Sequence, residues 1–387
     1  MRMELIATAT FGLEAVVRRE VEALGFDVVK TEDGKVTYMG DERGIVRSNL
    51  WLRTADRVLL KMAEFTAKTF EELFQQTKAI AWENLIPPDG KFTVTGTSVK
   101  SALHSVPACQ KICKKAIAAR LGEAYCMETL PETGADYTVK VTLLKDRVTI
   151  TVDTSGEGLH KRGYRVANVA APIKETLAAA MIQLSFWKAD RLLVDPCCGS
   201  GTIPIEAAMI ARNIAPGLSR HFASEGWDLI PAEVWKEERK AAFSAIDSET
   251  PLRIRAFDKD GRAIAAAREN AMEAGVEDDI VFKAMNMIRL EAQEPSGIII
   301  TNPPYGERIG EQAEIDVIYG KYKEFFEENP DWSLFLITTD KGFEEKVFGR
   351  PANRRRKLYN GRLEVCYYQF HGVKPRVSEE KKENEDA

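Results

Sequence analysis

From about residue 165 this chain predicts an α/β fold, a doubly wound and mostly parallel sheet with an antiparallel terminal strand, preceded by two small α+β units. Three observations carry that prediction. Apolar runs of strand length alternate with helical periodicity: helix 172–187, strand 191–195, helix 202–212, strand 252–257, helix 261–274, strands 279–284 and 297–301, helix 314–328, strand 332–338. A glycine-rich turn joins the first strand to the helix beyond it. Near the end, Asn360-Gly361 separates the apolar runs 354–358 and 363–370, which reads as a hairpin and so as the antiparallel closing strand.

The region before it has a different rhythm. Met3 to Thr8 reads as a strand, Leu13 to Leu24 as an amphipathic helix, and Val28-Val29 and Val36–Met39 as two strands around Glu32-Asp33-Gly34. Residues 50–63 continue as a helix or a strand packed on them. A second unit has a helix near 69–77, a strand at 91–96, a helix at 108–121 and strands at 137–144 and 147–153, the last two joined by the tight break at Lys145-Asp146. Asp153 to Gly158 is a turn-rich hinge. The expected domains are therefore 1–62, 63–155 and 156–375, with a charged, disordered tail at 376–387. Residues 213–250, with Trp227 and Trp235, interrupt the alternation and read as an insertion near the active site.

Composition narrows the function classes. At 44% hydrophobic and 29% charged residues, the chain has the make-up of an ordinary soluble globular protein. No apolar run approaches the length of a membrane-spanning helix and the N-terminus has no signal-peptide pattern, so a cytoplasmic protein with no membrane partner is expected. The six cysteines (109, 113, 126, 197, 198, 366) fit no disulfide framework. Cys109 and Cys113 lie one helical turn apart, but no second pair has ligand spacing, so buried thiols and no metal site are expected. Net charge is −5, yet Ser98 to Arg120 carries five cations and no acid, and Arg350 to Arg376 carries eight basic residues against Glu364. Two acid-poor segments in an acidic protein suggest a localised track for a polyanion.

Two turns carry chemistry. Asp195-Pro196-Cys197-Cys198-Gly199-Ser200-Gly201-Thr202 follows a strand and opens a helix. Its glycines allow a sharp turn and close approach to a ligand, while helix N–H groups favour a carboxylate or phosphate. Pro204 stands where a dinucleotide fingerprint needs glycine, and Asp195 would repel a pyrophosphate but pair with an ammonium group. S-adenosyl-L-methionine has such a group. Asp258 ends the next strand, where ribose hydroxyls are held in such sheets, while Asp260 reads better as a helix cap. Asn286 follows the third strand and could read an adenine edge.

Thr301-Asn302-Pro303-Pro304-Tyr305-Gly306 ends the strand 297–301. Neither proline has an N–H, so the turn offers carbonyl oxygens and the Asn302 amide oxygen, with Tyr305 as a stacking face. That set suits a nucleobase amino group.

Together these turns resemble those of class I methyltransferases acting on exocyclic amines. The resemblance extends further. Ser98-Val99-Lys100-Ser101-Ala102-Leu103-His104-Ser105 and the lysine-rich helix after it resemble a THUMP RNA-binding domain. Ala7 to Glu14 resembles the ferredoxin-like domain that precedes one. Gly158 to Arg165 and Ala171 to Ala178 resemble the entry to the catalytic domain of bacterial 23S rRNA guanine-N2 methyltransferases. What this implies is a Rossmann-like class I methyltransferase behind ferredoxin-like and THUMP domains, using S-adenosyl-L-methionine on RNA, either 23S rRNA or a ribosomal assembly intermediate. The resemblance assigns Asp195, Cys197, Gly199, Gly201 and Thr202 to the methionine end, Asp258 to the ribose and Asn286 to the adenine, with Thr176 touching the cofactor from the helix before the first strand. It assigns Asn302, Pro303, Pro304 and Tyr305 to the target base. Lys100, Ser101, His104, Lys111, Lys114, Lys115, Arg162 and Arg165 become the expected RNA contacts. Two departures stand out: Asn286 replaces a common Asp, and 63 positions separate Asp195 from Asp258 against roughly 20 in a compact dinucleotide unit. An adenine-N6 methyltransferase on RNA or DNA remains the alternative within this chemistry, and a non-catalytic RNA-binding assembly factor the alternative outside it.

Overall fold

A computed structural model describes residues 2–167, 172–305 and 312–373. The expected tail at 376–387, Ala171 and Gly306 lie outside the described residues. The chain divides into two compact units: residues 1–162 with 214–246, and 163–213 with 247–387.

The first unit is built on one seven-stranded sheet. Strands β1 (Met3–Ala9), β2 (Asp27–Glu32), β3 (Lys35–Gly40), β4 (Ala55–Thr66), β5 (Lys91–Val99), β6 (Asp136–Leu144) and β7 (Arg147–Asp153) lie in the order β2-β3-β1-β4-β7-β6-β5. The helices are α1 (Glu14–Ala23), α2 (Glu42–Trp51), α3 (Phe70–Lys78) and α4 (Val106–Tyr125). Strand β4 is long enough to serve both halves. Its residues 55–60 pair with β1 and its residues 59–66 with β7. The boundary expected at residue 62 therefore falls inside a continuous ladder. Residues 42–51, where no helix was expected, form α2, which Asp41 caps by accepting from Gly44 N at 2.7 Å. Lys145 and Asp146, at φ 52° and 64°, make the tight β6–β7 turn anticipated from sequence.

Of the interruption at 213–250, residues 214–246 belong to this first unit. Its helix α7 (Ala232–Ser244) places Glu238, almost fully buried, between Arg43 at 2.6 Å and Arg47 at 2.8 Å on α2. Phe222, Trp227, Ile230 and Trp235 join the core that the sheet and α2 enclose, and Trp227 stacks on Tyr137 with centroids 4.9 Å apart. These bulky apolar residues needed a core, and this unit supplies it.

The second unit holds the doubly wound sheet. Strands β8 (Leu193–Asp195), β9 (Ile254–Asp258), β10 (Ile280–Ala284), β11 (Ile298–Thr301), β12 (Ser333–Thr338), β13 (Arg354–Asn360) and β14 (Leu363–Phe370) run in the order β10-β9-β8-β11-β12-β14-β13. The first five pair in parallel and β14 is antiparallel to both neighbours. Helices α5 (Glu175–Leu184), α6 (Thr202–Ala211), α8 (Gly261–Glu273) and α9 (Gln312–Glu328) complete the unit. Strands β8, β11 and β12 are buried along their whole length, which is why they read as unbroken apolar runs. The order reverses at β8, with β9 on one side and β11 on the other, so the carboxyl ends of these strands leave a crevice between them. The closing hairpin pairs Asn360 with Leu363, one residue later than the sequence suggested, so Gly361 and Arg362 form the loop.

Candidate active site

The crevice contains a cleft of about 380 Å³. Its lining brings together the two turns singled out in the sequence, with Asp195, Cys197, Gly199 and Thr202 on one side and Asn302 to Tyr305 on the other. Asp258 and Asn286 complete it from β9 and from the turn after β10.

Asp195 is 1% exposed at the end of β8. Its Oδ1 accepts from the Cys197 N–H at 3.1 Å and the Thr301 hydroxyl at 2.8 Å. Its Oδ2 is buried and has no hydrogen-bond partner among the described residues. Burial drives this carboxyl up to about 7 against the two hydrogen bonds, and the Asp258 charge adds a smaller upward push. A buried carboxylate oxygen with nothing to accept from is a strong preference for a cation. The ammonium of S-adenosyl-L-methionine meets it, so the residues present fit that cofactor.

Asp258 is held by the glycine turn itself. Its Oδ2 accepts from Gly199 N at 3.0 Å and its Oδ1 from Asp260 N at 2.9 Å. Its carboxylate is thereby fixed at the cleft wall with lone pairs to spare for hydroxyl groups. Asp260 accepts from Arg262 N at 2.9 Å and caps α8. Asn286 lines the cleft while its Oδ1 accepts from Ile288 N at 3.1 Å, capping a short turn.

The two glycines divide the work. Gly199, at φ 53°, lines the cleft. Gly201, at φ 81°, does not line it, and a Cβ there would meet Ala267 Cβ at 3.0 Å, so its task is the approach of α6 to α8. Thr176 is buried on α5 and likewise is not among the lining residues. Burial raises both cysteine thiols, Cys197 and Cys198, well above their ordinary value, with the charges of Asp195 and Asp258 adding to it, so neither serves as a thiolate nucleophile.

On the acceptor side, the Tyr305 hydroxyl donates to Asn302 Oδ1. The amide oxygen expected to receive a base amine therefore already accepts one hydrogen bond from its own turn, with its second lone pair left for the base. Sequence reasoning missed several participants. Thr301 links the two turns through its bond to Asp195. Asn270 of α8, buried, donates to Ser200 O at 3.1 Å and pins the glycine turn from behind. Lys259 and Glu314 pair across the cleft lining. Thr301 stood inside a motif already quoted, whereas nothing in the sequence marks Asn270.

The expected RNA contacts separate into two groups. Lys100, His104, Lys111, Lys114 and Lys115 are exposed on the first unit, with Lys114 also 3.7 Å from Glu132. Ser101 is half-buried and its hydroxyl donates to Val99 O at 3.1 Å. Arg162 and Arg165 face inward instead. Arg162 is 3% exposed and donates to Leu159 O at 2.5 Å and to Arg53 O. Arg165 reaches Glu175 at 2.7 Å, Ser200 at 3.1 Å and Thr202 at 2.9 Å, so it braces the cofactor turn. Among the described residues no cluster has the make-up of a metal site, and no helix is long and apolar enough to cross a membrane.

Comparison with known proteins matches three family models in succession: the RlmL ferredoxin-like domain at residues 4–59, the THUMP domain at 67–153, and the RMKL-like methyltransferase domain at 162–369. A Bacillus subtilis (strain 168) protein provisionally named RNA methyltransferase YpsC is 50% identical over 99% of both chains. Ribosomal RNA large subunit methyltransferase K/L of Syntrophotalea carbinolica is 35% identical over 95% of this chain, which spans 53% of that longer protein. Among solved structures, one described as a predicted N6-adenine-specific DNA methylase from Listeria monocytogenes (str. 4b F2365) superposes with a TM-score of 0.92 at 47% identity, covering 96% of this chain and 97% of that one. Another, SMU.472, a provisionally assigned methyltransferase complexed with SAH, gives 0.91 at 44% identity over 97% and 99%.

Proposed function

The chain belongs to the RMKL-like methyltransferase family, with ferredoxin-like and THUMP domains ahead of the catalytic domain and S-adenosyl-L-methionine as cofactor, and from that premise we propose that it methylates the exocyclic N2 amine of a guanine in large-subunit rRNA, in the cytoplasm. The supporting observation is the convergence of a buried, half-unpartnered Asp195 and the Asn302–Tyr305 turn in one cleft, joined by the 2.8 Å bond from Thr301. The K/L relative is named for large-subunit rRNA, and this chain carries the same arrangement of domains as its family models describe.

S-adenosyl-L-methionine held here would supply an electrophilic methyl on its sulfonium, to be passed to the amine nitrogen while the bonding pair stays with sulfur. In this reading Asp195 Oδ2 takes the cofactor ammonium, and Asp258 holds the ribose hydroxyls beside Cys197, Gly199 and Thr202. Asn286 reads the adenine. Asn302 Oδ1 and the Pro303 carbonyl accept the two hydrogens of the base amine. That fixes the plane of the amine and turns its lone pair out of conjugation with the ring. Tyr305 stacks on the base, and Pro304 keeps the turn rigid. Positioning is the main catalytic device, and the proton of the methylated amine leaves to water afterwards. The base must be unpaired to reach the turn. The exposed lysines of the THUMP domain, with His104 and Ser101, hold the surrounding RNA, and an assembly intermediate is an equally suitable carrier of the target.

The same acceptors serve adenine N6, a second reading favoured by the description of the Listeria relative. The test is incubation of large-subunit rRNA from a strain lacking the gene with the protein and labelled methyl donor, followed by nucleoside mass spectrometry. N2-methylguanosine is expected. N6-methyladenosine would transfer the assignment to the second reading, and label in neither nucleoside would refute both. Asn302→Ala is expected to lower turnover on the same RNA by about 10²–10³-fold, as for loss of one transition-state hydrogen-bonding group, while leaving cofactor binding intact.

A further inference from the structure

The basic segment 350–376 is not absorbed by the cleft or by the THUMP domain. Its described part folds as β13, β14 and the loops around them, and there it borders a second cavity of about 350 Å³. Thr339, Lys341, Arg355, Lys357, Glu364 and Tyr368 line it, over Val365 and Cys366. Register explains the grouping. Lys357 pairs with Cys366 and Arg355 with Tyr368, and Cys366 and Tyr368 pair with Thr338 and Leu336 of β12. These side chains therefore rise from one face of three adjacent strands.

The same register locates the cavity relative to the acceptor turn. Thr301, the last residue of β11, pairs with Leu336. From there β12, β14 and β13 follow in order, so Arg355 stands three strand spacings, roughly 14 Å, from the strand that carries Asn302. Both cavities open beyond the carboxyl end of the parallel strands of one sheet, where such sheets take their ligands.

Charge and exposure identify the occupant. Three cations line the groove with one carboxylate, Glu364, while Glu344 reaches Arg355 from outside the lining, and the cationic side chains are 84%, 69% and 52% exposed for Lys341, Arg355 and Lys357. Lys357 lies 2.6 Å and Lys341 3.5 Å from Glu364, and Arg355 lies 3.5 Å from Glu344. Ion pairs this exposed contribute about 0–1 kcal/mol each, so exchanging the carboxylates for phosphates costs little. Tyr359, half-buried under the Lys357 ammonium at 5.5 Å, offers apolar surface to a sugar or base. We propose that this groove binds the backbone phosphates of the RNA strand flanking the target nucleotide, holding the strand while its base occupies the cleft. The inference rests on the RNA methyltransferase reading and adds to it a substrate-positioning site on the catalytic domain itself.

The test uses the full chain and unmodified large-subunit rRNA from the deletion strain. The Arg355→Ala, Lys357→Ala double variant is expected to bind that RNA roughly tenfold more weakly at 0.15 M salt, with the slope of log affinity against log salt reduced by about 1.4, as for two lost single-strand phosphate contacts. KM should rise with kcat and cofactor affinity unchanged. Lys341→Ala, at the most exposed position, should give about half the slope change without risk to folding. Glu364→Gln should shift affinity the other way, because it removes the carboxylate that competes with phosphate. Lys188→Ala with Lys323→Ala, exposed cations outside the groove, should do neither. An active parent whose groove variants keep its KM and salt slope would overturn the groove alone. A parent that transfers no methyl to RNA would overturn the function and the groove with it.

Discussion

Replacing Asp195 with Asn should make the free protein more stable at pH 8 and a poorer binder of its cofactor. The ordinary carboxyl value of 3.8 is raised to about 7 here. The folded state therefore holds the proton more tightly than the unfolded chain, and stability declines as pH rises from about 4 to 7. At ~1.4 kcal/mol per pH unit the ionised carboxylate costs roughly 4 kcal/mol above that window. Asn keeps the acceptor for Thr301 and Cys197, but its Nδ2 takes the place of an oxygen that has no partner. An unsatisfied amide there costs about 1–3 kcal/mol, leaving a net gain of roughly 1–3 kcal/mol at pH 8 and none at pH 4. Loss of the charge-assisted bond to an ammonium should weaken adenosylhomocysteine by roughly 10–100-fold. Urea unfolding at the two pH values measures the first effect. Calorimetric titration at pH 6, in two buffers of different ionisation heat, measures the second together with proton release. The parent, protonated at pH 6 when free, should release a proton on binding and the variant none. Equal affinity in the two proteins, or no proton release by the parent, would refute the role of this carboxylate.

Tyr305→Phe removes the hydroxyl that occupies Asn302 Oδ1 while keeping the ring, so RNA turnover should be maintained or improved. Tyr305→Ala should raise KM for RNA by the equivalent of about 1–3 kcal/mol of lost stacking, and equal kinetics for Phe and Ala would show that the ring does not meet the base. Gly201→Ala combines positive φ with a Cβ 3.0 Å from Ala267, so a loss of about 1–3 kcal/mol and a lower Tm are expected by thermal denaturation. An unchanged Tm would mean that α6 and α8 can separate freely.

Much of the catalytic unit was legible because its signals are local. Buried parallel strands are apolar without interruption, glycines and prolines mark the turns at their carboxyl ends, and Asn360-Gly361 announces the hairpin. What stayed hidden depends on residues far apart in sequence. Nothing near Glu238 in the sequence predicts its burial, because Arg43 and Arg47 lie almost two hundred positions away. Helix α2 was missed because its buried side includes Ser48 and Asn49, and the Asn49 amide is satisfied by Thr154 at 2.9 Å. Arg162 and Arg165 are expected RNA contacts on the resemblance, whereas carbonyls and Glu175 claim them in the fold. The orphaned Asp195 oxygen could not be foreseen either: the acid was visible, the absence of a neighbour was not.

The excursion of residues 214–246 into the first unit sets an order of events during synthesis. The core around Trp227 and Trp235 lacks those side chains until residue 246 has left the ribosome, by which time β8 and the glycine turn have already been made. Counted from Trp51, the end of α2, at roughly 5–20 residues per second that is a wait of about 10–40 s, during which the face that α2 turns to α7 stays bare. The nascent N-terminal unit is thus finished by a segment borrowed from the middle of its own enzyme. A polypeptide arrested before that point carries an incomplete RNA-binding half as well as no catalyst.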